Sequence, residues 1–258
     1  MLDTTKVEIK RKASTQCPPW TRTEIGADNH LADRFIKSGL ESLEDYEIVE
    51  LLLGLASRHS GYKKRAKECI RQFGSLRGVI EASPQELLES GITPSGILCI
   101  RLISEIPVRV LKGRIIDKPV YQSPQAVFDY LYYSMRGLKN EILKVIYLNN
   151  RNQIIEILDL FEGTLDKIPV SPREIVESAI KYRAVSMIFA HNHPSGDHTP
   201  SKSDKQITRD LVFIGCALQI KVLDHIIVGD NSHFSFASEG LIEKYEDNFL
   251  TFRMKACT

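Results

Sequence analysis

The sequence predicts an α/β protein in which an all-helical N-terminal part precedes a domain built on a mixed sheet. In the first half of the chain, apolar residues recur at helical spacing and follow cap signals such as Ser83-Pro-Gln-Glu86. In the second half, short apolar runs such as Leu143–Leu148 have strand character and alternate with helical stretches. The two halves therefore differ in their secondary structure class.

The boundary between the two parts is predicted from proline and glycine. Residues 112–123 contain Gly113 and Pro119 and lack the periodicity of the segments on either side. We place a helical domain at 28–118 and the α/β domain at 119–258. Residues 1–27 lack apolar periodicity and are expected to form a mobile tail.

Composition narrows the class of protein. Apolar residues make up 43% and charged residues 26%, with a net charge of +1, so the balance favours neither a nucleic-acid nor a membrane partner. The five cysteines are scattered without metal spacing, which is typical of a reducing compartment. There is no N-terminal signal pattern and no apolar run near the ~18 residues of a membrane helix. We expect a cytoplasmic protein.

Cap residues and glycines predict the individual helices of the first part. The expected helices are one capped by Ser42 and running through Leu55, Tyr62–Phe73 closed by Gly74, a short one opened by Ser83, and Pro94–Lys112, which Pro107 should kink or interrupt.

Alternating strand and helix patterns continue to the end of the second part. The predicted elements are a helix from Ser123 to Met135, strands Leu143–Leu148 and Gln153–Leu160, a helix from a capping box at Ser171 to Tyr182, a strand Ala184–Ala190, a helix Lys205–Gly215, strands Ile220–Val228 and His233–Phe236, a helix Glu239–Tyr245, and a tail Phe249–Thr258.

The most informative stretch follows the buried strand that ends at Ala190. Because alternate strand residues face the same side, His191 and His193 can direct both imidazoles into one space, about 7 Å apart along the chain. A catalytic zinc often takes two histidines and one carboxylate, with the remaining position left to water. Asp204, one turn into the next helix, is the best third ligand, since the intervening prolines and Gly196 let the loop fold back.

Other interpretations of this stretch stay open. Ser201 and Asp204 also fit a capping box of the Ser-x-x-Asp kind, and a single histidine at a strand end is usually structural. Asp197 and His198 come two residues too late for the His-x-His-x-Asp-His motif of metallo-β-lactamase-like hydrolases. A zinc deaminase would need Cys-x-x-Cys, which is absent from the sequence. Iron oxygenases use two histidines and a carboxylate as well, so iron remains possible.

The motif resembles that of a known family. The run His191-Asn-His-Pro-Ser-Gly-Asp197, followed by Ser201 and Asp204, is similar to the metal-binding (JAMM) motif of the JAB/MPN metallopeptidases. The residues within this run resemble those of the RadC branch of that superfamily in particular. The likeness covers residues 120–245. It implies a cytidine-deaminase-like mixed sheet, zinc bound by His191, His193 and Asp204, and hydrolysis of a peptide or isopeptide-like amide.

The resemblance also suggests roles for further residues. Amide hydrolysis needs a carboxylate to move the proton of the water, and the candidates are Glu141, Glu156, Glu162 and Glu174. The family places its catalytic glutamate at the start of the first strand, which corresponds to Glu141. Ser201 would bond the metal water or the developing oxyanion.

Three polar residues near the motif have less definite roles. Asn192 should point away from the two ligands and either contact substrate or pair with backbone. His198 is expected to be exposed in the loop. His225 is expected to orient a histidine ligand or to pack in the core.

The helical domain is similar to a helix-hairpin-helix module, as in RadC-type proteins. There a Gly-hydrophobic-Gly turn and the following helix N-terminus hold a DNA phosphate. Here the turn reads Gly91-Ile92-Thr93, and a side chain at Thr93 limits close approach of the backbone. DNA binding through Lys63-Lys-Arg65 and Arg77 is therefore one possibility, and a packing or protein-docking domain is the other.

The leading hypothesis is a zinc-dependent hydrolase that acts on a protein or peptide, with no membrane partner. The alternative is a DNA-associated accessory protein, linked to repair or recombination, in which the metal site is structural or acts on another bond. A third hypothesis is a protein-interaction scaffold, although the intact set of candidate metal ligands argues against it.

Overall fold

The computed structural model describes residues 29–57, 61–116, 118–163, 172–230 and 232–256, so the predicted tail at 1–27 lies outside the described residues. The chain divides into two compact units, Met1–Glu105 and Ile106–Thr258. As predicted, the first is helical. Its helices are α1 (Asn29–Ser38), α2 (Asp45–Ala56), α3 (Lys63–Phe73), α4 (Leu76–Glu81), α5 (Pro84–Glu89) and the N-terminal part of α6 (Pro94–Ile115).

Local capping decides where these helices begin and end. Ser83 and Glu86 form the predicted capping box of α5, and Gly74 ends α3 with a left-handed φ of 81°. The predicted cap of α2 at Ser42 is wrong. Glu44 caps that helix in a box with Glu47, because Ser42 ends a separate 3₁₀ turn (Leu40–Ser42) and the helix begins only at Asp45.

A short turn joins α5 and α6 at Gly91-Ile92-Thr93, the position where the sequence predicted it. Gly91 has a φ of 81°, and Ile92 is buried in the core of this unit. The Thr93 hydroxyl accepts the N–H of Gly96 at 3.3 Å and so caps α6. Arg65 donates to the Ser90 carbonyl at 2.8 Å and holds the turn against α3.

Helix α6 continues through Pro107 without interruption. Proline has no N–H for the carbonyl of Ile103, but both residues are exposed, so water can satisfy that carbonyl. Val108, Leu111 and Ile115 of α6 pack in the core of the second unit, which is why the division falls inside this helix. The domain boundary at residue 118 stays a prediction, since contacts do not test which segments fold independently.

The second unit is built on one five-stranded mixed sheet. Its strands are β1 (Glu141–Leu148), β2 (Ile154–Gly163), β3 (Ser186–Asn192), β4 (Lys221–Val228) and β5 (His233–Ser235), in the order β2-β1-β3-β4-β5. Strands β3 and β4 are parallel and are connected by helix α9 (Lys202–Leu218), whereas the other described pairs are antiparallel. Helices α7 (Pro124–Met135), α8 (Pro172–Lys181) and α10 (Leu241–Ala256) complete the unit.

Both faces of the central strands are buried. One face, with Val145, Tyr147 and Phe189, packs under α8, α9 and α10, and the other, with Ile146 and Ile188, packs under α7 and the end of α6. Strands covered on both sides have continuous apolar runs, which is why β1 and β3 could be read from the sequence. Among the described helices, none combines the length and apolar content of a segment that crosses a bilayer.

The C-terminal helix differs from the prediction. A helix Glu239–Tyr245 followed by a tail was expected, but α10 runs from Leu241 to Ala256 as one helix. Its buried residues Ile242 and Tyr245 are followed at helical spacing by Phe249, whose ring meets Phe213 of α9 at 5.6 Å. This additional contact extends the packed face of the helix beyond the predicted end. The predicted cap of α8 at Ser171 lies outside the described residues.

Candidate metal centre

The two histidines of the motif lie at the end of β3. His191 is fully buried and pairs with Leu143 in the antiparallel register between β3 and β1. Continuing that register by two residues places Glu141, the first residue of β1, opposite His193. Residues two apart on a strand share a face, so His191, His193 and Glu141 all lie on the side of the sheet that α9 covers. This is the alternation that the sequence predicted.

Three candidate ligand atoms converge at this point. Nε2 of His191 lies 3.0 Å from Nε2 of His193, and the Asp204 oxygens lie 3.2 Å from the first and 3.4 Å from the second. Ligands about 2.0–2.2 Å from one zinc ion in a tetrahedron are roughly 3.3–3.6 Å apart. The separations of 3.0 and 3.2 Å fall slightly below this range and that of 3.4 Å falls within it, so the donor set and its spacing are close to those of a site for a single small cation. Among the described residues these three form the one such group.

Asp204 serves the helix and the site at once. It is the third residue of α9, where its carboxylate accepts the N–H of Ser201 at 2.7 Å while its own N–H donates to the Ser201 hydroxyl at 3.1 Å. Burial alone raises the pKa of the Asp204 carboxyl, but hydrogen bonds from His191, His193 and Ser201 outweigh burial and hold this pKa well below its ordinary value. The carboxylate is thus ionised, as a metal ligand must be.

The loop after β3 sets the protonation of His193. Its Nδ1 lies 2.6 Å from the Asp197 carbonyl oxygen. Because a carbonyl only accepts, Nδ1 carries a proton, and in the neutral ring Nε2 then has a lone pair facing Asp204. The hydrogen bond with Asp204 raises the pKa of His193, and the Asp197 carbonyl and the charge of Glu141 add to this effect. A proton therefore competes with a cation for this nitrogen.

His225 and Thr208 stand behind His191. Nε2 of His225 lies 2.8 Å from Nδ1 of His191, and Nδ1 of His225 lies 2.6 Å from the Thr208 hydroxyl. The His225 ring is stacked on Phe236 with centroids 5.0 Å apart, and its complete burial lowers its pKa well below the ordinary value. Both expected roles of His225, orienting partner and packing residue, are thus visible. Thr208 was missed, and its only signal was its place one turn after Asp204.

Asn192 holds the backbone on either side of Glu141. Its amide oxygen accepts the N–H of Ile142 at 2.9 Å, and its amide nitrogen donates to the carbonyl of Asn140 at 3.1 Å. Of the two roles considered for Asn192, the backbone contact is the one observed. The side chain therefore fixes the start of β1 and with it the position of Glu141.

The remaining candidates lie elsewhere. His198 was expected to be exposed, but it is half-buried because its Nδ1 lies 2.7 Å from the Ser232 hydroxyl. Glu156 accepts the N–H of its neighbour in β2, and Glu174 is exposed on α8. The side chain of Glu162 lies outside the described residues. The charge of Glu141 contributes to the raised pKa of His193.

Comparison with known proteins identifies the family of this chain. The family model described as "RadC-like JAB domain" matches residues 121–241. A UPF0758 protein of Rhodobacter capsulatus is 34% identical over 82% of this chain and 100% of its own length. A UPF0758 protein of Pseudoalteromonas translucida is 36% identical over 81% of this chain and 94% of its own. The chain therefore belongs to the RadC family of JAB-domain proteins.

Proposed function

We propose that this protein is a zinc-dependent hydrolase of the JAB/MPN type that cleaves a peptide or isopeptide-like amide. The observation that carries the proposal is the convergence of His191, His193 and Asp204 at separations close to those of ligands to one ion. Two histidines and one carboxylate are a common catalytic zinc set that keeps a position for water.

The zinc ion, when bound, would lower the pKa of a coordinated water and polarise the carbonyl under attack. Glu141 would then take the proton of the attacking water and pass it to the leaving nitrogen. Support for this role comes from the register of β1 and β3, which puts Glu141 opposite His193, and from the electrostatic effect of Glu141 on the pKa of that histidine.

Ser201 would stabilise the oxyanion that develops during the attack. Its oxygen accepts the N–H of Asp204, and its hydroxyl hydrogen can donate in another direction. Capping the helix and donating to substrate are therefore compatible. A well-placed donor of this kind contributes about 3–4 kcal/mol to catalysis.

Metal content tests the proposal directly. We expect about one zinc per chain in the wild type, loss of zinc in His191→Ala and Asp204→Ala, and retention in Glu141→Gln, which removes the base without removing a ligand. His198→Ala is the matched control, since that histidine bonds Ser232 outside the group of ligands. Retained zinc with abolished cleavage of amide substrates in Glu141→Gln would support the assigned roles.

Two results would overturn the proposal. One is a folded wild-type protein that binds no metal even with added zinc. The other is elemental analysis that finds iron or manganese in place of zinc and shows that zinc cannot replace it, since the same ligands suit iron as well.

A DNA-associated accessory role is the second candidate, and the exposed cations of α3 favour it. Lys63, Lys64, Lys67 and Arg71 are all exposed on this helix. At the α5–α6 turn, in contrast, the Thr93 hydroxyl already takes the N–H of Gly96 that a phosphate would need. Salt-sensitive binding of a DNA duplex that is lost in Lys64→Ala/Lys67→Ala but kept in Lys181→Ala, on α8, would support this role. No binding at low salt would exclude it.

A further inference from the structure

Hydrogen bonds join Thr208, His225 and His191 behind the candidate metal centre. The donor and the acceptor of each bond follow from the way Thr208 is held. The Thr208 hydroxyl oxygen lies 2.5 Å from the backbone carbonyl oxygen of Asp204, one turn earlier in α9. A carbonyl only accepts, so the single hydroxyl hydrogen of Thr208 points to Asp204. The hydroxyl oxygen is left as an acceptor for its other neighbour, Nδ1 of His225, at 2.6 Å.

This arrangement determines which nitrogen of His225 carries its proton. Nδ1 must donate to Thr208, because the hydroxyl hydrogen is already used. His225 is 1% exposed, and a second ring proton would put an unpaired charge in the core. The neutral ring therefore has a lone pair on Nε2, which lies 2.8 Å from Nδ1 of His191. That lone pair requires a proton on Nδ1 of His191.

We propose that Thr208 and His225 form a directed hydrogen-bond chain that keeps a proton on Nδ1 of His191, so that Nε2 is the nitrogen left to bind the metal. A neutral imidazole has two tautomers, and the one protonated on Nε2 has no electron pair to offer a metal at that position. The chain removes this second form before any metal arrives.

The same contacts couple two ligands mechanically. The chain begins at the backbone of Asp204 in α9, passes through His225 in β4, and ends on His191 in β3. A shift of α9 along the sheet would therefore disturb both the Asp204 carboxylate and the orientation of His191. This inference rests on the proposed metal site, but the tautomers that it predicts exist in the metal-free protein.

The first test uses the metal-free wild type. Long-range proton–nitrogen NMR correlations of the histidine rings report which ring nitrogens carry protons. We expect protonated Nδ1 on both His191 and His225 and a bare Nε2 on His225. A His225 ring protonated on Nε2 would overturn the proposal.

The second test compares two variants in their zinc affinity. Thr208→Val replaces the hydroxyl by a methyl group of similar size, and Thr208→Ser keeps the hydroxyl but loses the methyl group. Loss of a partner that orients a metal-binding histidine typically weakens metal binding by about 10- to 100-fold, which we expect for Thr208→Val. Thr208→Ser should bind zinc almost as tightly as the wild type.

The outcomes separate this inference from the proposed function. Equal zinc affinity in both variants, whether reduced or unchanged, would mean that the hydroxyl does not act through the histidines and would overturn the chain. A wild type that binds no zinc would refute the proposed function, and the tautomers of the metal-free protein would still decide the inference. Those tautomers also remain decisive if Thr208→Val fails to fold.

Discussion

Replacing Asn192 should separate the positioning of Glu141 from the binding of metal. The variant Asn192→Leu has a side chain of similar volume that can make neither of the hydrogen bonds to the backbone at Asn140 and Ile142. The residue is 3% exposed, so water cannot replace both bonds. Because Asn192 is not among the three candidate ligands, those side chains remain in place.

The size of the effect follows from the two lost bonds. A buried backbone group left without a partner costs about 1–3 kcal/mol. Ile142 is half-buried, so its N–H can bond to water and offset part of this cost. We therefore expect a loss of roughly 2–3 kcal/mol in the free energy of unfolding. If Glu141 then moves by about 1 Å, cleavage should slow by about 100-fold.

Urea denaturation, zinc content and amide cleavage measured on the same preparation test this reasoning. Asn150→Leu, in the exposed turn between β1 and β2, is the control and should change the unfolding free energy by no more than about 0.5 kcal/mol. Loss of zinc from a folded Asn192→Leu would refute the separation of roles. If Asn192→Leu had the stability and the cleavage rate of the wild type, the two hydrogen bonds would not be what positions Glu141.

Two further effects should be measurable. The pKa of His193 is raised in the folded protein, chiefly by the hydrogen bond with Asp204. The charged ring therefore stabilises the metal-free protein fully below the unfolded pKa near 6.5. This stabilisation is lost as the pH rises through the folded pKa. Comparing His193→Gln with the wild type by denaturation across this range should show the difference shrinking as pH rises, and a constant difference would contradict it. Gly91→Ala should cost about 1–2 kcal/mol, because Gly91 has a φ of 81° and the added Cβ would also lie 2.7 Å from the Arg65 guanidinium. Gly113→Ala, in open space within α6, should instead stabilise by about 0.5–1 kcal/mol in thermal unfolding, and equal effects at both glycines would argue against backbone strain.

Much of the candidate site was visible in the sequence because its signals are local. The alternation of His191 and His193 depends on the strand period of two, and the spacing of Ser201 and Asp204 is that of a helix start. Each pattern spans only a few residues, so no knowledge of the rest of the fold was needed. The role of Glu141, in contrast, was inferred from the family resemblance and not from its local sequence.

Longer-range contacts could not be predicted in this way. The extent of α10 depends on Phe249 meeting Phe213 in another helix, and nothing near Phe249 in the sequence indicates that partner. Thr208 looks like an ordinary helix residue, and Asn192 lies 50 residues from Ile142, whose N–H it binds. These pairings depend on the register and packing of whole elements.

The sequence by itself thus determined the class of fold, the strand and helix that carry the candidate ligands, and the chemical nature of those candidates. Tertiary structure alone decided how far apart the candidate ligand atoms lie, that His225 stands next to His191, and how the start of β1 is held. The physical reason is that local structure follows from periodicity and capping within a few residues. Hydrogen-bond partners across a sheet follow instead from strand order and register, which only the packed core determines.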